Sequence, residues 1–112
     1  ANSTSVIVSD SGIHIIPSDK MPVGKGIRNV PFQSYTFDIS KEATLYMYTD
    51  GYADQFGGPK GKKFMYKQLN QLLSNIHKKE LTEQKQILID TFNKWRGNLE
   101  QVDDVLIVGI KL

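Results

Sequence analysis

Hydrophobic positions along the chain change period twice: short alternating or continuous apolar runs up to about residue 50, a helical period from about 65 to 95, and a final apolar run after 104. Ser5-Val-Ile-Val8 and Gly12-Ile-His-Ile-Ile16 flank Ser9-Asp-Ser-Gly12, two β-forming runs joined by turn chemistry, which predicts a hairpin. His14 alternates with apolar neighbours and is expected at an exposed strand position. Residues 17–26 hold two Pro and two Gly and read as a loop. Phe32-Gln-Ser-Tyr-Thr-Phe-Asp-Ile39 alternates as a third strand with Tyr35, Phe37 and Ile39 on one face. Residues 40–43 turn into Thr44-Leu-Tyr-Met-Tyr-Thr49, a strand apolar on both sides and so expected at the centre of the sheet.

Gly57, Gly58, Pro59 and Gly61 predict a mobile loop. Met65, Leu69, Leu72, Leu73 and Ile76 then fall at helical spacing, predicting an amphipathic helix over about 63–77. A second helix is expected to start at Thr82 as N-cap, with Glu83 near the positive end of its dipole. Leu88, Phe92 and Trp95 form its stripe, Arg96 suits its last turn, and Gly97 suits the position after it. A loop over 98–102 leads to the strand Val105-Leu-Ile-Val-Gly-Ile110. The order β-β-β-β-α-α-β predicts an α+β fold, an antiparallel sheet with two helices packed on one face.

Acidic residues sit at the ends of the two most apolar runs. Asp50-Gly51 closes the run 44–49, and Asp103-Asp104 opens the run 105–110. Paired antiparallel, the end of the first strand lies beside the start of the second. Asp50, Asp103 and Asp104 would then gather at one sheet edge. Carboxylates crowded together repel unless a cation neutralises them, and an oxygen-only set suits a hard divalent ion such as Mn²⁺ or Mg²⁺. Taken singly, an Asp-Gly pair after a strand is a turn, and an Asp before a strand is a solvated loop residue.

Leu45-Tyr-Met-Tyr-Thr-Asp-Gly-Tyr-Ala-Asp54 and Gln101-Val-Asp-Asp-Val-Leu-Ile-Val108, with the loop Lys20-Met-Pro-Val-Gly24 upstream, resemble the C-terminal half of bacterial protein phosphatase 2C-like serine phosphatases of the stage II sporulation protein E type. The resemblance implies that the sheet is part of a β-sandwich. It also implies that Asp50 and Asp103 are ligands of a centre of two Mn²⁺ or Mg²⁺ ions, with Asp104 beside them. Asp54 is acidic in many relatives and is not assigned to the metal. The implied activity is metal-dependent hydrolysis of phosphoserine or phosphothreonine on a regulatory protein, such as an anti-sigma-factor antagonist, in a bacterial cytoplasm. The family's N-terminal half carries a further Asp and a Gly-His-Gly segment. Neither His14 nor His77 stands in such a segment. Residues 1–112 are therefore expected to be the C-terminal part of one catalytic domain, inactive by itself. The competing expectation is a non-catalytic regulatory or protein-binding module with a vestigial metal site. A third is an unrelated α+β domain whose acids serve only turns.

Composition narrows this little. At 112 residues the chain makes one small domain, and a net charge of +2 demands neither a nucleic-acid nor a membrane partner. Cys is absent, which leaves no thiolate ligand or nucleophile and fits a reducing compartment. No apolar run approaches the roughly 18 residues of a membrane span. Lys60, Lys62 and Lys63 cluster beside glycines without the order of a P-loop; they read as solvated charge or as steering for a phosphorylated protein. With strands apolar on both faces and two helices to cover one, the chain is expected to self-associate.

Overall fold

The computed structural model describes residues 3–16 and 42–112. The strand expected at 32–39, the loop expected at 17–26 and the segment Lys20–Gly24 lie outside the described residues. Strands β1 (Ser3–Ser9) and β2 (Gly12–Ile16) form the expected hairpin. The strand β3 (Ala43–Thr49) pairs with β1 on one side and with the final strand on the other. With β4 (Phe56–Gly57), β5 (Lys62–Lys63) and β6 (Ile107–Lys111), the described strands make a sheet of order β2-β1-β3-β6 and a separate β4-β5 pair. Every pairing is antiparallel. Helices α1 (Tyr66–Ile76) and α2 (Leu81–Arg96) complete the α+β fold.

Both helices lie on the sheet face that carries Thr44, Tyr46 and Tyr48, and polar groups fasten them there. Tyr48 Oη donates to Asn70 of α1 at 2.6 Å, Thr44 Oγ1 donates to the His77 carbonyl at 3.3 Å, and Tyr46 Oη donates to Gln84 of α2 at 2.5 Å. Beneath them Val6, Val8, Leu69, Leu73, Ile76 and Phe92 close the apolar core. The alternate residues of β3 and β6 point to the other face, where Met47, Val108 and Ile110 are exposed.

Four details differ from the sequence expectation. The glycine-rich segment after residue 56 is a small hairpin, because Phe56 pairs with Lys63 and Gly57 with Lys62. A Cβ on Gly57 would stand 2.6 Å from the carbonyl carbon of Trp95, so only glycine lets this hairpin reach α2. Met65 leaves the apolar stripe of α1: it precedes the helix with φ 81° and is 58% exposed. The helix α2 starts at Leu81 after Glu80, with no side-chain cap, which puts Thr82 inside its first turn. The last strand starts at Ile107 instead of Val105, because the Thr49 side chain interrupts the backbone ladder there: Leu106 N–H donates to Thr49 Oγ1 at 3.2 Å. Gly97 ends α2 as expected, with positive φ and its N–H donating to the Asn93 carbonyl at 3.0 Å.

Gln84 is the buried polar residue on which the helix layer turns. Besides accepting from Tyr46, it donates to the carbonyls of His77 at 3.2 Å and Lys79 at 2.8 Å, so one side chain satisfies both the sheet and the turn between the helices. Replacing Gln84 with Leu should lower unfolding free energy by about 1–3 kcal/mol, the cost of leaving buried polar groups unpaired. Exposed Gln86→Leu, which loses only a hydrogen bond to Asp90, should stay within about 0.5 kcal/mol of wild type in the same urea titration.

Candidate metal-edge site

The site begins where β3 runs out. Thr49 N–H still donates to the Leu106 carbonyl at 3.1 Å, and Thr49 Oγ1 donates to the Asp104 carbonyl at 3.3 Å. The chain then coils, with Asp54 N–H donating to the Asp50 carbonyl at 2.9 Å. At Gly51 the two segments touch: a Cβ there would lie 2.8 Å from the Asp104 carbonyl carbon and closer still to its oxygen. No residue but glycine permits that approach. Asp50 and the Asp103-Asp104 pair are thus carried on adjoining backbones at one end of the β3–β6 ladder.

Core residues hold both sides of this junction. Tyr52, 2% exposed, sends its hydroxyl to the Leu88 carbonyl at 2.8 Å and packs its ring against Phe64 and Phe92 at centroid distances of 5.2 and 5.0 Å. Burial raises the Tyr52 hydroxyl well above the usual tyrosine pKa, and it pushes Tyr46 up to about 12. Gln55 is fully buried and clamps the lead-in to the acidic pair: its Nε2 donates to the Glu100 carbonyl at 2.8 Å and to the Phe56 carbonyl at 3.0 Å, and its Oε1 accepts from Val102 N–H at 3.3 Å. The indole of Trp95 donates to the Gln55 carbonyl at 2.9 Å.

The acidic side chains have distinct surroundings. Asp50 accepts a hydrogen bond on Oδ1 from the Tyr66 hydroxyl, at the first residue of α1. Desolvation, followed by that bond and the charges of Asp50 and Asp54, raises the Tyr66 pKa, so Tyr66 remains a donor. Tyr66 also stacks on Tyr48, centroid to centroid 6.1 Å. Exposed Asp103 accepts the Asp104 N–H on its own Oδ1 at 2.8 Å, while Gln101 donates to the Asp103 carbonyl at 2.9 Å. Asp54 pairs with Lys63 at 3.7 Å. The donor chemistry, carboxylate oxygen on adjoining turns, suits Mn²⁺ or Mg²⁺. Among the described residues, no group of three or more His, Asp or Glu stands close enough together to hold an ion by itself.

Tyr66, Gln55 and Thr49 escape sequence reasoning. Tyr66 lies off the apolar stripe of α1, and Gln55 looks like any polar loop residue; its full burial appears only once Glu100 and Val102 are folded over it.

The family model for stage II sporulation protein E (SpoIIE) matches residues 2–112, the same span that carries the Asp50 turn and the Asp103-Asp104 lead-in. The chain belongs to the SpoIIE family. No curated protein matches the chain. Among solved structures it is similar to the SiaA-PP2C domain of Pseudomonas aeruginosa, with TM-score 0.73 and 24% identity over 97% of this chain. That likeness shows the fold. The match spans 42% of the SiaA-PP2C chain. Family and fold together give this SpoIIE segment a protein phosphatase 2C-like architecture. Among the described residues no helix is long and apolar enough to cross a membrane.

If the glycine contact sets the edge, Gly51→Ala should push the two backbones apart and cost about 1–3 kcal/mol, the usual range for overpacking. Amide chemical-shift changes should concentrate at 49–54 and 102–106. Unchanged shifts at 102–106 would show that the contact is not formed.

Proposed function

We propose that residues 1–112 are the C-terminal part of a metal-dependent protein serine/threonine phosphatase domain, acting on a phosphorylated regulatory protein in bacterial signalling. The observation that carries this reading is the approach of Gly51 to the Asp104 carbonyl, which puts Asp50 and Asp103 at one edge. In this reading Asp50 and Asp103 hold the ions and Asp104 supports them. Tyr66 donates to Oδ1 of Asp50 and would orient that carboxylate. The Asp104 amide occupies Oδ1 of Asp103 in the same manner. Mn²⁺ or Mg²⁺, two ions in the complete domain, would supply Lewis acidity and an acidified water, so no side-chain nucleophile is required. The ligands still needed belong to parts of the domain beyond the described residues.

The substrate class we favour is a phosphoserine or phosphothreonine protein of the anti-sigma-factor-antagonist kind, met in the cytoplasm; neither nucleic acid nor membrane is a partner in this reading. The lack of a three-ligand group among the described residues favours a second reading, a regulatory module with a vestigial site. The two readings separate in the complete domain. Asp50→Asn or Asp103→Asn should each lower Mn²⁺-dependent turnover by orders of magnitude, since each removes a ligand charge. Near-wild-type turnover in both variants would remove Asp50 and Asp103 from the site, and no Mn²⁺-dependent turnover by the complete wild-type domain would leave the regulatory module standing.

The chain alone is also proposed to self-associate. Met47, Val108 and Ile110 are exposed by 37%, 37% and 44% on the sheet face opposite the helices. The strand β6 is an edge of the sheet among the described residues. Apolar faces and open edges of this kind are routes to pairing. Sedimentation at micromolar concentration should show a dimer or larger species, and Val108→Lys with Ile110→Lys should shift it toward monomer. A monomeric wild type would remove the proposal.

A further inference from the structure

Asp50 and Asp54 lie on one turn, and the fold treats them differently. Asp54 is paired with Lys63 at 3.7 Å. Asp50 has no cationic partner among the described residues; it meets the uncharged hydroxyl of Tyr66. A lysine or arginine at that place would cancel the charge of Asp50 and compete with an ion for its oxygens. A phenol fixes the direction of the carboxylate and leaves the charge in place.

The backbone delivers Tyr66 to this place. Phe64 N–H donates to the Gln55 carbonyl at 3.0 Å, and Met65 N–H donates to the Ala53 carbonyl at 2.8 Å. The residues just before Tyr66 are thus tied to those just after Asp50. Met65 takes φ 81°, a region that favours glycine, and its carbonyl accepts from Leu69 N–H at 3.1 Å, so α1 starts at once with Tyr66. Such a turn costs backbone strain, which proteins keep where it places a side chain for use. On its other side the Tyr66 ring stacks on Tyr48, with centroids 6.1 Å apart and 26° between the planes. Tyr48 is itself held by Asn70 at 2.6 Å. Phenylalanine would serve the turn and the stacking equally well. The hydroxyl is the part of Tyr66 that packing does not account for, and its acceptor is Asp50.

We infer that Tyr66 is the positioning residue of Asp50. Its hydroxyl holds the Asp50 carboxylate in one rotamer, so that an ion meets a ligand already in place and still fully charged. Tyr66 touches neither ion nor substrate in this scheme and acts through Asp50 alone. The inference rests on the phosphatase reading above and adds to it a residue outside Asp50, Asp103 and Asp104.

The test is Tyr66→Phe, which removes the hydroxyl and keeps the ring on Tyr48. In the isotope-labelled chain without metal, the Hα–Hβ couplings of Asp50 should have the values of a single staggered rotamer in wild type. In Tyr66→Phe they should move to intermediate, averaged values. In the complete domain Tyr66→Phe should raise the Mn²⁺ concentration for half-maximal turnover about 10- to 100-fold, the usual effect of losing the partner of a metal ligand. Saturating Mn²⁺ should then restore turnover. Gln84→Leu, which weakens the helix layer and leaves Tyr66 in place, should lower stability without moving the Mn²⁺ dependence. Averaged Asp50 couplings in wild type, unchanged couplings or unchanged Mn²⁺ dependence in Tyr66→Phe, or a loss that saturating Mn²⁺ does not restore, would each overturn the inference. No Mn²⁺-dependent turnover by the complete wild-type domain would overturn the phosphatase reading, with the metal-free couplings still deciding for or against Tyr66.

Discussion

One close backbone contact organises this chain, the packing of Gly51 against the Asp104 carbonyl. Sheet pairing alone would bring the end of β3 near the start of β6, but a side chain at 51 would hold the two turns apart. With glycine there, Thr49 can bridge both strands through its hydroxyl, and the acidic residues end on adjoining backbones. Tyr52 and Gln55 then fix the two sides, one by burying an aromatic ring, the other by satisfying the amides and carbonyls of 100–102.

The core that supports this edge is unusually rich in tyrosine. Tyr46, Tyr48 and Tyr52 are each at most 2% exposed, and each hydroxyl has a defined acceptor on the helix layer: Gln84, Asn70 and the Leu88 carbonyl. Burial raises all three above the normal tyrosine range, so they remain neutral donors. Apolar contact alone would let the helices slide over the sheet; directional bonds from three positions do not. The placement of α1 matters for the acidic edge because its first residue, Tyr66, reaches Asp50.

Much of this was legible from residue order. Alternation exposed the hairpin and β3, helical spacing exposed α1 and α2, and the acids at strand ends marked the edge. The failures have physical reasons. Thr82 looked like a cap, yet α2 starts one residue before it, because the Glu80 carbonyl already accepts the Gln84 N–H at 2.9 Å as the first bond of the helix. Met65 fitted the stripe by spacing, but the hydrogen bond to Ala53 pulls its backbone out of the helix. The glycines of 57–61 read as loop, when the constraint on Gly57 is contact with Trp95. Gln55 and Tyr66 act through partners distant in sequence, and local pattern carries no trace of them.

The central claim is that the Asp50 turn and the Asp103-Asp104 lead-in form one edge able to share an ion. The most direct measurement is paramagnetic broadening of the backbone amides of isotope-labelled chain on addition of Mn²⁺, which detects even weak binding. The account predicts that amides of 50–54 and 101–105 broaden together and that Asp50→Asn reduces both sets. Broadening confined to one segment, or centred elsewhere in the chain, would contradict it.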